Sequence, residues 1–276
     1  MRRRAAALTV GTLLLTVGAL LPSSAVAETT VWTFNDGRFG QGVSFQGDAG
    51  NNDVTVSLPP TPGAVQFEDP DGVVSGDDPL CQNQSSTVIV CEIYPELMYG
   101  WLEDGDDRVQ IEMADDDYYA AKISAGAGAD RMFGGGDTDV FLGKEGDDLL
   151  IGAIEGDRLD GGRGDDRIRG GLGDDRLEGG GDDDRILGGL GNDRVLGQRG
   201  SDWLFGGNGR DRLFADDRTP DRAIDCGADA DLAFLDPGEA HSHPGCETWA
   251  VVTSDDDRSG SGDSIRSSFP AFARRR

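Results

Sequence analysis

Apolar residues recur at a fixed interval through the middle of the chain, and an aspartate stands two positions before each of them. The aspartates are nine residues apart without interruption: Asp130, Asp139, Asp148, Asp157, Asp166, Asp175, Asp184, Asp193, Asp202 and Asp211. Their apolar partners are Met132, Phe141, Leu150, Leu159, Ile168, Leu177, Ile186, Val195, Leu204 and Leu213. Because side chains alternate between the two faces of a strand, one apolar position in each unit can point into a core. The pattern therefore predicts a repeat architecture of short strands and turns.

Glycine completes the repeated unit and indicates a ligand. Four units, at 161–169, 170–178, 188–196 and 206–214, have the form G-G-x-G-x-D-x-U-x, with U apolar. Glycine accepts a positive φ at low cost, so it allows a tight loop with inward-facing carbonyls. Calcium takes six to eight oxygens from carboxylates, carbonyls and water. The predicted metal-site glycines, at positions two and four of these units, are Gly162, Gly164, Gly171, Gly173, Gly189, Gly191, Gly207 and Gly209.

The remaining units depart from this pattern in places. Position four is Asp137, Glu155 or Asp182 instead of glycine, while Lys144 and Gln198 replace the second glycine. Since these side chains resist a positive φ, we expect such loops to bind metal more weakly or with altered geometry.

The nonapeptide string resembles the calcium-binding repeats of RTX proteins, and the chain looks like a secreted, hemolysin-type member of that family, similar to actinobacterial ones. The resemblance is tight over 125–214 and loose over about 28–250. It implies an all-β fold: a right-handed parallel β-roll solenoid with N- and C-terminal β caps, two units to a turn. It also implies several calcium ions, about eight, between loops stacked along one edge. Each ion would join units n and n+2, as in Asp130 with Asp148.

The formal net charge of −27 links the metal to the fold. Stacked carboxylates repel each other unless a cation lies between them, so calcium binding is expected to drive folding. The same charge argues against a nucleic-acid partner, because it would repel phosphate. A solvated, flexible Gly-Asp tract is the alternative, but it gives no reason for a hydrophobe at every ninth position.

The first 27 residues are typical of a secretory signal peptide, with three arginines at the start, an apolar stretch to Leu21 and Ala25-Val26-Ala27 as the cleavage site. That stretch is too short to predict a membrane span, and no later one approaches the required length. We therefore predict a secreted, extracellular protein. An even number of cysteines predicts disulfides there, with three possible connectivities, of which we favour the local pairs Cys81–Cys91 and Cys226–Cys246.

Alternating segments at 31–34, 54–58, 65–68 and 87–91 predict strands on the N-terminal side of the repeats. Asp107 and Val109 repeat the spacing before residue 125, and Asp221 and Asp231 continue it loosely afterwards. We assign residues 28–104 to an N-terminal β cap, 105–235 to the roll, 236–252 to a C-terminal cap and 253–276 to a disordered tail.

Two alternative functions follow from other features. Position nine is more apolar in odd units (Phe133, Ile151, Arg169, Leu187, Phe205) than in even units (Leu142, Asp160, Glu178, Leu196, Phe214). An apolar face of that kind favours self-association or a cell-surface partner, as in an adhesion scaffold, unless a flanking cap covers it. The second alternative is a hydrolase within 28–124.

We predict no enzymatic activity, because a small cap offers little room for a substrate cleft. His241-x-His243 supplies too few ligands for zinc. The arginines at position seven, which recur in most units, are interpreted as charge balance for the loop aspartates.

Overall fold

The structure is a computed structural model that describes residues 29–35, 41–57, 64–70, 73–75, 80–85, 88–91, 97–112, 120–237, 244–251 and 273–274. Its regular elements are all strands, which confirms the predicted all-β fold. The predicted signal peptide, His241-x-His243 and all of the predicted tail except 273–274 lie outside the described residues.

The strands form two sheets. Sheet A contains β1(Thr29–Asn35), β2(Gln41–Gln46), β5(Val73–Ser75), β8(Leu97–Asp104), β10(Ala120–Ala127), β12(Val140–Glu145), β14(Arg158–Arg163), β16(Arg176–Gly181), β18(Arg194–Arg199), β20(Arg212–Ala215), β22(Leu232–Leu235), β23(Thr248–Val251) and β24(Ala273–Arg274). Sheet B contains β3(Asp53–Ser57), β4(Val65–Glu68), β6(Cys81–Asn83), β7(Val88–Cys91), β9(Arg108–Glu112), β11(Arg131–Phe133), β13(Leu149–Ala153), β15(Arg167–Leu172), β17(Arg185–Leu190), β19(Trp203–Asn208) and β21(Ala223–Ala228).

Strands β8 to β22 alternate between the sheets, and each pairs in parallel with the next strand of its own sheet. Two nonapeptides therefore make one coil of a parallel β-roll, and odd and even units fall in different sheets as predicted. The register keeps the apolar position aligned, with Leu159 opposite Leu177 in sheet A and Ile168 opposite Ile186 in sheet B. All ten predicted apolar residues are buried, and burial of each stabilises the fold by about 1.5–3 kcal/mol.

Parallel stacking begins earlier in the chain than the repeat pattern indicates. Strand β2 pairs in parallel with β8, and β3 pairs in parallel with β9. The coils thus include residues that the sequence assigns to the N-terminal cap. The antiparallel strands β1, β4, β6 and β7 complete this end, and the four strands predicted there from alternation are confirmed as β1, β3, β4 and β7.

Two disulfides tie the ends, and both predicted pairs are confirmed. Cys81 and Cys91 face each other across β6 and β7, with sulfurs 2.09 Å apart. Cys226 in β21 joins Cys246 just before β23, with sulfurs 1.97 Å apart. Each bond closes a short loop and is worth about 3 kcal/mol through the lost entropy of the unfolded chain.

Candidate metal centre

The loops form two rows, one at each edge of the roll. Because the strands within a sheet are parallel, all loops entering sheet A lie at one edge and all loops entering sheet B at the other. The expectation of a single edge is therefore wrong, since consecutive units turn at opposite edges. Row A carries Asp139, Asp157, Asp175, Asp193, Asp211 and Asp231, and row B carries Asp107, Asp130, Asp148, Asp166, Asp184 and Asp202.

One oxygen of each carboxylate is used inside the stack. The backbone N–H of Asp148 donates to Oδ1 of Asp166 at 2.8 Å. The same bond joins each of the first eight repeat aspartates to the one 18 residues later, at 2.7–2.9 Å. The structure thus brings together the aspartates of units n and n+2, the pairing that the family resemblance implies. All ten are at most 3% exposed.

In eleven of the twelve aspartates of rows A and B, the other oxygen, Oδ2, is buried and accepts no hydrogen bond from the described residues. It lies over the first glycine of its own unit. A Cβ added to Gly143 would stand 2.1 Å from Oδ2 of Asp148 and 2.4 Å from the carbonyl oxygen of Gly161 in the next coil. The eleven are Asp107, Asp130, Asp148, Asp157, Asp166, Asp175, Asp184, Asp193, Asp202, Asp211 and Asp231.

The same two kinds of oxygen meet at other first-position glycines. At Gly161, Gly170 and Gly179, the Cβ position lies 2.1–2.2 Å from the aspartate Oδ2 and 2.8 Å from the carbonyl oxygen of the next coil. When the carboxylate is charged, two buried oxygens with no proton donor between them are unfavourable unless a cation satisfies both. The first glycine is therefore needed for space, and this arrangement fits a hard cation such as calcium.

The glycines at positions two and four shape the loops between coils. All eight predicted metal-site glycines have φ between +116° and +135°. A Cβ at Gly171 would stand 2.2 Å from the carbonyl oxygen of Ala153, and one at Gly191 would stand 1.9 Å from that of Gly173. Backbone carbonyls of one loop thus point at the loop of the next coil. The part of the chain described holds no group of three His, Cys, Asp or Glu side chains placed to bind a metal.

Comparison with known families agrees with this geometry. The family model of the RTX calcium-binding nonapeptide repeat, in four copies, matches residues 116–150, 151–186 and 187–217. Residues 116–217 are therefore an RTX-type repeat array. RTX repeats are calcium-binding motifs, so calcium is the ligand that the family supports. No curated protein and no solved structure matches the chain. None of the described residues belongs to a helix able to span a membrane.

Most irregular loops of the RTX array keep the regular backbone. Lys144, Glu155, Asp182 and Gln198 all have positive φ, between 66° and 91°, despite carrying a side chain. Ala153 also replaces a second glycine, although it is not among the replacements named from sequence, and it has φ 93°. Each costs about 1–2 kcal/mol relative to glycine. The stacked strands therefore impose the loop shape even where the residue opposes it.

The loop with Asp137 is different. Its Gly135 N–H donates to Oδ2 of Asp139 at 3.0 Å, so this carboxylate has both oxygens paired within the RTX array. The φ of Asp137 is also not positive, unlike that of the other side chains that replace a loop glycine in the units described above. The altered geometry expected from a missing fourth glycine is present at this loop, and Asp139 is the weakest candidate ligand of the ten.

Burial raises the pKa of the row aspartates because the charged form loses its hydration. The pKa of Asp184 rises to about 9, and those of Asp148 and Asp157 to about 8. Neighbouring carboxylates raise these pKa values further, while the backbone N–H on Oδ1 lowers them. The pKa is raised to about 7 or about 6 in Asp107, Asp139, Asp166, Asp175, Asp193, Asp202, Asp211 and Asp231.

We predict that the metal-free roll is more stable at pH 5 than at pH 8. The folded carboxyls have a pKa of about 6 to 9 against 3.8 for an ordinary aspartate, so the folded state binds more protons. Stability is therefore highest below the ordinary value and is lost as the pH rises through 6 to 9. The β signal in far-ultraviolet circular dichroism of the metal-depleted protein at the two pH values tests this, because it reports the folded fraction. A β signal at pH 8 that equals or exceeds the signal at pH 5 contradicts the prediction.

An extra repeat unit lies far upstream of the RTX array. Residues 47–54 keep Gly47, Gly50 and Val54 at positions one, four and eight, with Asn52 in the place of the aspartate. Asn52 is buried and donates its backbone N–H to Oδ1 of Asp107 at 2.6 Å, which continues row B. The spacing of these four residues is the signal that could have identified the unit from sequence.

A second, exposed ladder runs along position five. The N–H of Asp165 donates to Oδ1 of Asp147 at 2.9 Å, and that of Asp183 to Oδ1 of Asp165 at 3.0 Å. These bonds run in the opposite direction to those of position six. Because the position-five carboxylates face solvent, they add little electrostatic strain to the roll.

Arginines cover part of the odd-unit face. The guanidinium carbon of Arg185 lies 5.0 Å from the ring centroid of Phe205, and that of Arg222 lies 4.2 Å from Trp203. Cation–π contacts of this kind are worth about 0.5–1 kcal/mol at exposed sites. From sequence, the position-seven arginines are interpreted only as charge balance. That interpretation does not include their packing against aromatic rings.

Proposed function

We propose that this protein is an exported calcium-binding β-roll that completes its fold when calcium binds between the coils. The row of buried aspartate Oδ2 atoms beside backbone carbonyls carries the proposal. A cation relieves the repulsion between these oxygens, whereas the loops themselves offer no proton donor to either.

Each proposed site uses four kinds of oxygen. They come from the position-six carboxylate of one loop, the backbone carbonyls at positions two and four of that loop, and the backbone carbonyl at position one of the unit in the next coil. The ligand residues are the ten repeat aspartates and the eight glycines predicted from sequence, with about eight ions in all. Bound calcium supplies the positive charge that stacked carboxylates lack. The chain supplies the register that holds the oxygens of two coils together.

Export to the cell exterior is part of the proposal. Two disulfides suit an oxidising compartment, and the first 27 residues are typical of a signal peptide. Calcium is millimolar outside cells, so weak sites of extracellular affinity would fill there. The array would then fold after export rather than before it.

The adhesion and hydrolase alternatives stay predictions, because no feature of the described residues favours either. Arginines over the odd-unit rings leave a mixed face there rather than a purely apolar one.

Neighbouring aspartates offer a matched test. We expect D166N to lower the number of bound calcium ions by about one, because Oδ2 of Asp166 is a proposed ligand. D165N removes the same charge from the exposed position-five ladder and should leave the number unchanged. Metal analysis of dialysed protein in calcium buffer measures the number. Equal loss from both variants, or from neither, argues against the assignment of position six.

A further inference from the structure

Asn52 stands where the later loops of row B have an aspartate. Strand β3 pairs with β9 so that Asp53 lies opposite Arg108, which makes Asn52 the equivalent of Asp107 one coil earlier. Asn52 is 1% exposed, as buried as the repeat aspartates. Its carboxamide, however, is neutral and has proton donors.

The amide nitrogen of Asn52 lies within hydrogen-bonding distance of four oxygens, which share its two N–H donors. Nδ2 donates to the carbonyl of Gly50 at 2.8 Å, to Oδ1 of Asp107 at 2.9 Å, to the carbonyl of Asp48 at 3.1 Å and to that of Leu102 at 3.3 Å. Asp48 and Gly50 are positions two and four of its own loop, and Leu102 is position one of the next coil. These are the kinds of oxygen proposed to hold calcium in the later loops.

Nδ2 also occupies the place that Oδ2 takes elsewhere. A Cβ at Gly47 would stand 2.5 Å from Nδ2 of Asn52, just as one at Gly143 would stand 2.1 Å from Oδ2 of Asp148. In the later loops this place holds the aspartate Oδ2, which faces backbone carbonyl oxygens, and a cation is needed between them. In the Asn52 loop it holds an N–H donor, and no charge is left to neutralise.

We propose that Asn52 closes its loop without a metal, so that the N-terminal coil pair β3–β9 forms before calcium binds and offers a preformed edge to the RTX array. This rests on the proposed function, because it assumes that the later loops take calcium. It assigns the loop at 47–52 as a metal-independent end of row B.

The mature chain is taken as residues 28–276, without the predicted signal peptide, and the substitution N52D in it tests the proposal. It replaces the donor with an oxygen, so the variant should bind one more calcium ion than the wild type by metal analysis. In EGTA, hydrogen exchange of β3 and β9 should be slow in the wild type and fast in N52D, and calcium should restore protection. The control N51D adds the same charge at exposed position five, where Asn51 Oδ1 accepts from Asp106 N–H, and should change neither result.

The reverse substitution, D107N, covers the case in which N52D does not fold. Asp107 is not one of the ten repeat aspartates, but its Oδ2 is likewise buried and accepts no hydrogen bond from the described residues, so we take it as a further calcium ligand. An asparagine there keeps an Oδ1 acceptor for Asn52 and places a donor among the carbonyls of the next loop, so one calcium ion fewer and slower exchange of β9 in EGTA are expected. Unchanged calcium numbers in D107N, or in a folded N52D, overturn the proposal. If the wild type binds no calcium, the proposed function itself fails, which is a separate outcome.

Discussion

Removing calcium at neutral pH is expected to unfold the RTX array, with a loss of roughly 10 kcal/mol in the free energy of unfolding. If about eight sites bind with a Kd near 10⁻⁴ M in about 1 mM calcium, each adds roughly 1.4 kcal/mol. Their sum is comparable with the whole stability of a typical domain. The loss is greatest at high pH, where the buried row aspartates, with pKa values of about 6 to 9, must carry charge.

Calorimetry of the mature chain in calcium and in EGTA measures this effect. The main unfolding transition should move down by tens of degrees or disappear in EGTA. Magnesium at the same concentration is the control. It should restore little of the unfolding temperature that is lost without calcium, because it demands a small octahedral site and gives up its water reluctantly. An unfolding temperature that is the same with and without calcium contradicts the prediction.

Replacing Gly191 by alanine is expected to destabilise the calcium-bound protein by about 2–5 kcal/mol. Gly191 has φ +135°, and a Cβ there would stand 1.9 Å from the carbonyl oxygen of Gly173. That oxygen belongs to the backbone of the preceding coil and cannot move as a flexible side chain would. Since the carbonyl is also a proposed calcium ligand, G191A should weaken calcium binding as well.

Gly181 provides the matched control. Its nearest neighbour from the Cβ position is the carbonyl oxygen of Gly162 at 3.9 Å, and its φ lies outside the left-handed region. G181A should therefore change the unfolding free energy by less than about 0.5 kcal/mol. Urea unfolding of both variants in calcium makes the comparison. Similar losses in the two would show that loop strain and the carbonyl contact do not govern stability.

The repetitive part of the fold could be predicted because each unit has only one apolar position and one fixed period. Leu159 and Leu177 can both face the core only if the units stack 18 residues apart, which sets the register and sends alternate units to different sheets. The local disulfides followed from an even cysteine count and short separations. The two edges were missed because the residue pattern is the same at both and carries no sign of which side a loop turns.

Other parts were hidden by the loss of the repeat pattern. Strand β2 belongs to the stack through backbone pairing with β8, which imposes no spacing on the sequence. Asn52 was overlooked because the pattern was defined by aspartate, although an amide fits the same place. Gln198 adopts a positive φ that its own preference opposes, since pairing with neighbouring coils fixes the loop.

A calcium titration of the metal-free mature chain, followed by far-ultraviolet circular dichroism and by metal binding on the same samples, tests the central claim most directly. The β signal should rise from a low value, with its midpoint at the calcium concentration that half-fills the sites, and EGTA should reverse it. A full β signal without calcium that does not change on addition would contradict the account.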